Sequence, residues 1–192
     1  MTHADDAPRA GDSALGWTRE TISPSGTCVF VDRDGVINER ADGGFVLAWD
    51  AFRFRPDALE ALRILRAADL PVVVVSNQSC VGRGMLTIEA LQGIMARMVD
   101  ELERNGAPLS AWYCCPHAPD AGCDCRKPKP GMLLRGAREG GFDLSRSHMI
   151  GDAASDEAAA RAAGTAFTHV DPRDPGAFSR AARAIATIGR SR

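Results

Sequence analysis

The chain has 192 residues and a mass of 20.4 kDa, enough for one well-buried domain and too little for two with independent cores. With 45% hydrophobic and 25% charged residues and a mean hydropathy of -0.16, its composition excludes wholesale disorder and fibrous repeats. A net charge of -2 and a pI near 6.1 supply no field for holding a nucleic acid, although they allow a local basic pocket.

Residues 1–26 are rich in Ala, Asp, Gly, Ser and Pro without a sustained period, which predicts a mobile N-terminal extension in which Trp17 docks locally. The polar start, residues 1–10, lacks the basic-then-apolar pattern of an export signal, and the longest apolar run, residues 70–75, is far below a membrane span. A cytoplasmic protein with no membrane partner is therefore expected. The run Cys28-Val29-Phe30-Val31 reads as a buried strand that ends in the acidic turn Asp32-Arg33-Asp34-Gly35. Leu59, Leu62, Ile64 and Leu65 recur at helical spacing over residues 58–68, and Pro71 stops any continuation. Residues 72–75, four valines with no polar alternation, predict a parallel strand covered on both faces, running into Ser76-Asn77-Gln78.

Thr87 caps a predicted helix whose apolar stripe is Ile88, Leu91, Ile94, Met95, Met98 and Leu102, ending near Asn105-Gly106. Further strands are expected at 111–114, 148–150 and 166–170, and helices at 132–139, 156–163 and 178–188. Strand and helix thus alternate from residue 28 to the end. The fold class is α/β, a Rossmann-like, mainly parallel sheet with helices on both faces, as a single domain over residues 27–192.

In such sheets the loops at the carboxyl ends of the strands meet in one crevice, so Asp32, Asp34, Ser76 and Asp152 are expected to converge. Clustered carboxylates repel one another unless a cation sits among them, and hard oxygen ligands suit Mg²⁺. An ionised Asp beside the metal can attack phosphorus, and a second carboxyl two residues later can protonate the leaving oxygen. Lysine usage adds to this reading. Of 23 basic residues only Lys127 and Lys129 are lysines, so both compact ammonium groups lie within three positions of each other.

Four successive strand-to-loop junctions carry Asp32-Arg33-Asp34-Gly35-Val36, Ser76-Asn77-Gln78, Arg126-Lys127-Pro128, and Gly151-Asp152 with Asp156 four residues on. Together they resemble the four motifs of the haloacid-dehalogenase-like phosphatase superfamily. The resemblance implies that Asp32 is the nucleophile forming an aspartyl-phosphate and Asp34 the general acid, then base. It likewise implies that Ser76 and Lys127 hold the phosphoryl oxygens and that Asp152 completes a magnesium shell with Asp32 and Asp34, the last through its backbone carbonyl. Asp156 fits either a carboxylate that orients Lys127 or a charge at a helix N-terminus.

Six cysteines in a chain without an export signal point to metal binding or burial rather than disulfides. Cys115-Pro116-His117 followed by Cys123-Asp124-Cys125 supplies three thiolates and an imidazole, a closed set suited to structural Zn²⁺ in a loop of about residues 114–126. Cys114 is the rival to Cys115 as a ligand. Cys28 and Cys80 read as small buried residues, and His3, His148 and His169 lack neighbours that would make them ligands. Because Cys125 precedes Arg126-Lys127, the metal is expected to fix the loop that delivers the lysine.

Only 41 residues separate Asp34 from Ser76 and 50 separate Ser76 from Lys127, which leaves no room for a large cap domain. Residues 39–54 are expected to form a small flap over an open crevice. The zinc loop followed by Arg-Lys-Pro, with Ile37-Asn38 and Ser76-Asn77-Gln78-Ser79, is similar to the D,D-heptose 1,7-bisphosphate phosphatase and histidinol-phosphatase family. That similarity implies a small phosphorylated substrate, with the heptose bisphosphate favoured over histidinol phosphate. It also implies substrate contacts from Asn77, Gln78, Ser79 and Arg126, and a monomer is expected. Cys80 and Ala153 depart from the family pattern, where glycine and a polar or basic residue are usual.

Overall fold

The computed structural model describes residues 14–18, 26–41 and 43–190 of the chain. Its centre is a six-stranded sheet. In chain order the strands are β1 (Leu15–Thr18), β2 (Val29–Val31), β3 (Val72–Asn77), β4 (Ala111–Cys115), β5 (His148–Gly151) and β6 (Ala166–His169), arranged β1-β4-β3-β2-β5-β6. All neighbours pair in parallel except β1, which is antiparallel to β4. The helices are α1 (Ala58–Ala67), α2 (Ser79–Gly82), α3 (Ile88–Arg104), α4 (Gly131–Gly140), α5 (Ala154–Ala163) and α6 (Ala177–Arg190).

Successive strand residues point to opposite faces, and the core divides accordingly. Val29, Val31, Val72, Val74 and Ile150 pack under α1, α3 and α6. Phe30, Val73, Val75, Tyr113 and Met149 pack under α4 and α5. Helices on both faces explain why the central strands are apolar throughout, as expected from the sequence. Thr87 caps α3 through its side-chain oxygen, which accepts from the Ala90 N–H at 3.1 Å. Helix α4 ends at Gly141, whose φ of 67° is the left-handed conformation that glycine adopts without a Cβ penalty.

The extension expected over residues 1–26 needs correction. Leu15–Thr18 forms the edge strand β1, pairing Trp17 with Trp112 in register. A Cβ at Gly16 would lie 2.6 Å from the Tyr113 ring, so glycine here admits the aromatic beneath. The Tyr113 hydroxyl in turn meets Thr18 Oγ1 at 2.9 Å and donates to Glu139 at 2.7 Å. Residues 1–13 and 19–25, His3 among them, lie outside the described residues.

Helix α4 approaches the sheet closely at Gly136, where a Cβ would stand 3.0 Å from Phe30, 3.1 Å from Tyr113 and 3.3 Å from Val73. Replacing Gly136 with Val overpacks this contact and is expected to cost about 1–3 kcal/mol, measured by urea denaturation. A stability equal to or above that of the wild type would contradict the packing.

Candidate active site

The β2 strand delivers Asp32 to the carboxyl edge of the sheet, where its N–H donates to the Ile150 carbonyl at 2.9 Å and ties this loop to β5. The chain then turns tightly: the Arg33 carbonyl accepts from Ile37 at 2.8 Å and Asn38 at 3.1 Å. Gly35 is required at this turn. Its φ is +94°, and a Cβ there would lie 1.8 Å from Asp152 Oδ2. Only a bare α-carbon lets the β2 and β5 loops come together.

Lys127 enters from the loop that follows the cysteines, and its side chain is almost wholly buried. Its ammonium donates to Asp32 Oδ1 at 2.7 Å and the Val75 carbonyl at 2.8 Å, and it stands 2.6 Å from Asp156 Oδ1. Two of its three donors make these hydrogen bonds, and the Asp156 carboxylate faces the same charge as an ion pair. Burial opposes its charge, but Asp32 and Asp156 outweigh that and hold Lys127 above the usual lysine range. Asp156 fills both roles left open for it: Oδ1 faces Lys127, while Oδ2 accepts from the Ala153 N–H at the start of α5 at 3.1 Å.

The Ser76-Asn77-Gln78 stretch is mainly a positioning device. The Asn77 amide makes two bonds with the Lys127 backbone, accepting from its N–H at 3.1 Å and donating to its carbonyl at 2.9 Å. Gln78 donates from Nε2 to both Asp34 Oδ2 and Ser76 Oγ, each at 2.7 Å. Asn77 and Gln78, expected as substrate contacts, still line the pocket, but their amides hold other site residues. Ser79 is buried at the start of α2, and Arg126 has a buried Nη1 without a partner; neither lines the pocket.

Asp34 stands somewhat apart. Its carboxylate accepts from Arg33 Nη2 at 2.8 and 3.0 Å, from Asn38 Nδ2 at 2.9 Å and from Gln78. Burial opposes the charge, but the Arg33 guanidinium and these hydrogen bonds outweigh it and hold the carboxyl below its usual range. Arg33 is itself fully buried, its charge balanced by the carboxylate it holds. The group of carboxylates whose oxygens lie within 4.8 Å of one another is Asp32, Asp152 and Asp156. The Asp34 side chain is held by Arg33, Asn38 and Gln78 and is not in that group, which agrees with an expected place for Asp34 through its backbone carbonyl, and it lines the same pocket as Asp32, Ser76 and Asp152.

This group fits a divalent cation. Asp152 Oδ1 is buried without a partner, and Asp32 Oδ2 accepts no hydrogen bond among the described residues, so two oxygens on adjacent loops remain available. Burial pushes the Asp32 carboxyl up to about 7, with Lys127 opposing and Asp156 and Asp34 adding to the rise. A residue not singled out in the sequence completes the setting. Arg40, in the flap, donates to Asp152 Oδ2 from Nε at 3.0 Å and Nη2 at 2.8 Å. It lies in a stretch without periodicity, so only its proximity to the Asp-x-Asp turn hinted at it.

The cysteine cluster forms as expected. Cys115 Sγ lies 3.5 Å from His117 Nδ1 and 3.7 Å from Cys123 Sγ, while Cys125 Sγ lies 3.4 Å and 3.7 Å from the same two atoms. A tetrahedral shell with ~2.3 Å metal–sulfur and ~2.0 Å metal–nitrogen bonds has edges of about 3.8 Å and 3.5 Å. Strand alternation decides between the neighbouring cysteines. Cys115 faces the α4 side with Cys123 and Cys125, whereas Cys114 points to the opposite core, where burial pushes its thiol up to about 12.

Residues 9–164 match the model of the haloacid dehalogenase-like hydrolases. The chain belongs to that family. It is 38% identical over 149 residues to the D-glycero-beta-D-manno-heptose-1,7-bisphosphate 7-phosphatase of Yersinia pestis, covering 74% of this chain and 78% of that protein. Among solved structures, a HAD-like protein of Mesorhizobium loti superposes with a TM-score of 0.81 at 29% identity, covering 95% of this chain and 98% of the other. The D,D-heptose 1,7-bisphosphate phosphatase of B. bronchiseptica, complexed with magnesium and phosphate, superposes with a TM-score of 0.72 at 33% identity, covering 86% and 97%.

The protonation of Asp32 sets a pH dependence for cation binding. Below its folded pKa of about 7 the carboxyl carries a proton that Mg²⁺ must displace, so apparent affinity should fall about tenfold per pH unit below 7 and level off above it. Calorimetry in buffers of different ionisation enthalpy should find about one proton released per Mg²⁺ at pH 6 and few at pH 8. An affinity independent of pH would contradict the assignment of Asp32 to the cation.

Proposed function

We propose that the protein is a Mg²⁺-dependent phosphatase that removes the 7-phosphate from D-glycero-D-manno-heptose 1,7-bisphosphate. The observation that carries this reading is the convergence of Asp32, Asp152, Asp156 and Lys127 on one open pocket, which Asp34 and Ser76 also line. Relatives of similar sequence and structure, named for this reaction, support the substrate. Histidinol phosphate remains the runner-up by motif.

In the proposed reaction an oxygen of Asp32 bonds to the phosphorus of the substrate as the ester oxygen departs, and that oxygen takes a proton from Asp34. Water then attacks the aspartyl-phosphate, Asp34 accepts its proton, and inorganic phosphate leaves with Asp32 restored. Asp34 starts ionised in the substrate-free protein, and the negative charge of a bound phosphate beside it favours its protonation. Asp32 and Asp152 would hold Mg²⁺, whose charge would offset that of the phosphoryl oxygens. Ser76 and Lys127 are placed to meet those oxygens, and Gln78 keeps Ser76 and Asp34 at a fixed spacing.

We assign structural zinc to Cys115, His117, Cys123 and Cys125. Its role is to hold the loop on which Lys127 follows two residues after Cys125. Asn77 pins the same peptide from β3, so the lysine is held from two sides.

Asp32→Asn is expected to lower phosphate release from the heptose bisphosphate by about 10³-fold or more while leaving zinc content and unfolding midpoint near the wild type. Turnover comparable to that of the wild type would end the aspartyl-phosphate reading. Release from histidinol phosphate, measured alongside, separates the two substrates. Cys123→Ser is expected to lose the zinc, assayed by elemental analysis, and to lower activity about tenfold or more as Lys127 loses its support. Full activity in a zinc-free variant would remove the link between the two sites.

A further inference from the structure

The pocket mouth carries a cation that the phosphoryl site does not consume. Lys127, the other cation lining the pocket among the described residues, is 3% exposed and sits at the reacting end, against Asp32, the Val75 carbonyl and Asp156. The Arg40 side chain is 57% exposed, whereas the Asp152 carboxylate it holds is fully buried. Two of its five N–H groups reach Asp152 Oδ2; the remaining three have no partner among the described residues. The rest of the rim is neutral, formed by Gly44, Phe45, Asn77, Ala153 and Ser155.

The charges balance in a way that singles out this residue. Arg33 balances Asp34 from behind, and Lys127 serves Asp32 and Asp156 together. Asp32 and Asp152 would hold the divalent cation, and with that charge on Asp152 the Arg40 guanidinium at the solvent edge would be left free to meet another anion. A phosphomonoester needs its reacting group beside Asp32 and nothing charged at the mouth. A bisphosphate brings a second dianion, which must remain several ångströms away toward solvent, where Arg40 is the exposed cation among the described residues that line the pocket. A guanidinium fork on an adaptable side chain suits that task, because it offers parallel N–H donors to phosphate oxygens.

We propose that Arg40 recognises the second, non-reacting phosphate of a bisphosphate substrate and so sets the preference of this chain for bisphosphates over monophosphates. The assignment rests on the phosphatase reading above. It makes Arg40 a specificity residue delivered by the flap, whose base is fastened by the Glu39 N–H to the Arg53 carbonyl at 2.8 Å and by the stacked rings of Trp49 and Phe52 at 4.9 Å.

The test measures kcat/KM at saturating Mg²⁺ for heptose 1,7-bisphosphate and for heptose 7-phosphate, in the wild type, Arg40→Ala and Arg40→Lys. The preference for the bisphosphate is expected to shrink about 10- to 100-fold in Arg40→Ala, chiefly through KM, with Arg40→Lys intermediate. Calorimetric titration of both sugars into Asp32→Asn, with and without Arg40→Ala, should show the same loss of differential affinity without turnover. Equal losses on both substrates, or a higher Mg²⁺ requirement with the preference intact, would make Arg40 a positioning group for Asp152 and overturn the assignment alone. A wild type that neither binds nor hydrolyses either sugar phosphate would overturn the function and the assignment with it.

Discussion

The site depends on one buried ammonium. Lys127 draws together the end of β2 through Asp32, the end of β3 through the Val75 carbonyl, and the start of α5 through Asp156, while its own backbone belongs to the cysteine loop. Four segments distant in sequence are thereby closed around a single charge. Burying an ammonium is costly in isolation, and so is burying two carboxylates; together, as opposite charges in contact, they become mutually compatible. The excess negative charge left on Asp32 and Asp152 is what suits the site to a divalent cation. Lysine's compact, rotatable ammonium meets oxygens on three segments at once, which suits it better here than a planar guanidinium.

Around that charge, the polar residues act in layers. Gln78 bridges Asp34 and Ser76 and accepts from Arg33 at 3.1 Å, so the acid, the hydroxyl and the buried guanidinium share one amide. Asn77 reads the Lys127 peptide from both sides. Arg55, buried beneath the same turn, donates to the Gly35 carbonyl at 3.1 Å and to the Pro172 and Asp174 carbonyls at 2.6 Å, joining the turn to the segment before α6. Rigidity at the clustered carboxylates is therefore built from side-chain bonds to backbone as well as from sheet packing, which is how a site is held to sub-ångström tolerance.

Much of this was legible in the sequence because its signals are local. A four-valine run, an apolar stripe at helical spacing and a Cys-x-His/Cys-x-Cys pair each declare themselves within a few residues. The convergence of Asp32 and Asp152 followed from a general property of parallel sheets. What was hidden depends on partners far away in the chain. Leu15–Thr18 is a strand only because β4, nearly a hundred residues on, offers an edge. Arg33 resembles ordinary surface charge until Asp34 and Gln78 enclose it, and Arg40 is one arginine among 21 until the fold sets it against Asp152. The choice of Cys115 over Cys114 was equally unreadable until strand alternation assigned each thiol to a face.

The same alternation couples the cysteine cluster to the carboxylate cluster. Cys115 and Asn77 are direct neighbours across the β4–β3 ladder, and the Gln78 N–H donates to the Cys115 carbonyl at 2.7 Å. A thiolate on one side of the sheet edge and the amides that hold Lys127, Asp34 and Ser76 on the other thus share a single stretch of hydrogen-bonded backbone. From Cys125 the chain passes through one residue to Lys127, closing a ring of contacts that runs from the cysteine cluster through β4 and β3 and back through the lysine loop. Such a ring resists opening at any one point, because moving the lysine requires either unpairing Asn77 or displacing the cysteines. The cysteine cluster therefore bears on the Asp32–Lys127 site through geometry rather than charge, and an open pocket without a cap domain gains from the loop the rigidity that a covering domain would otherwise provide.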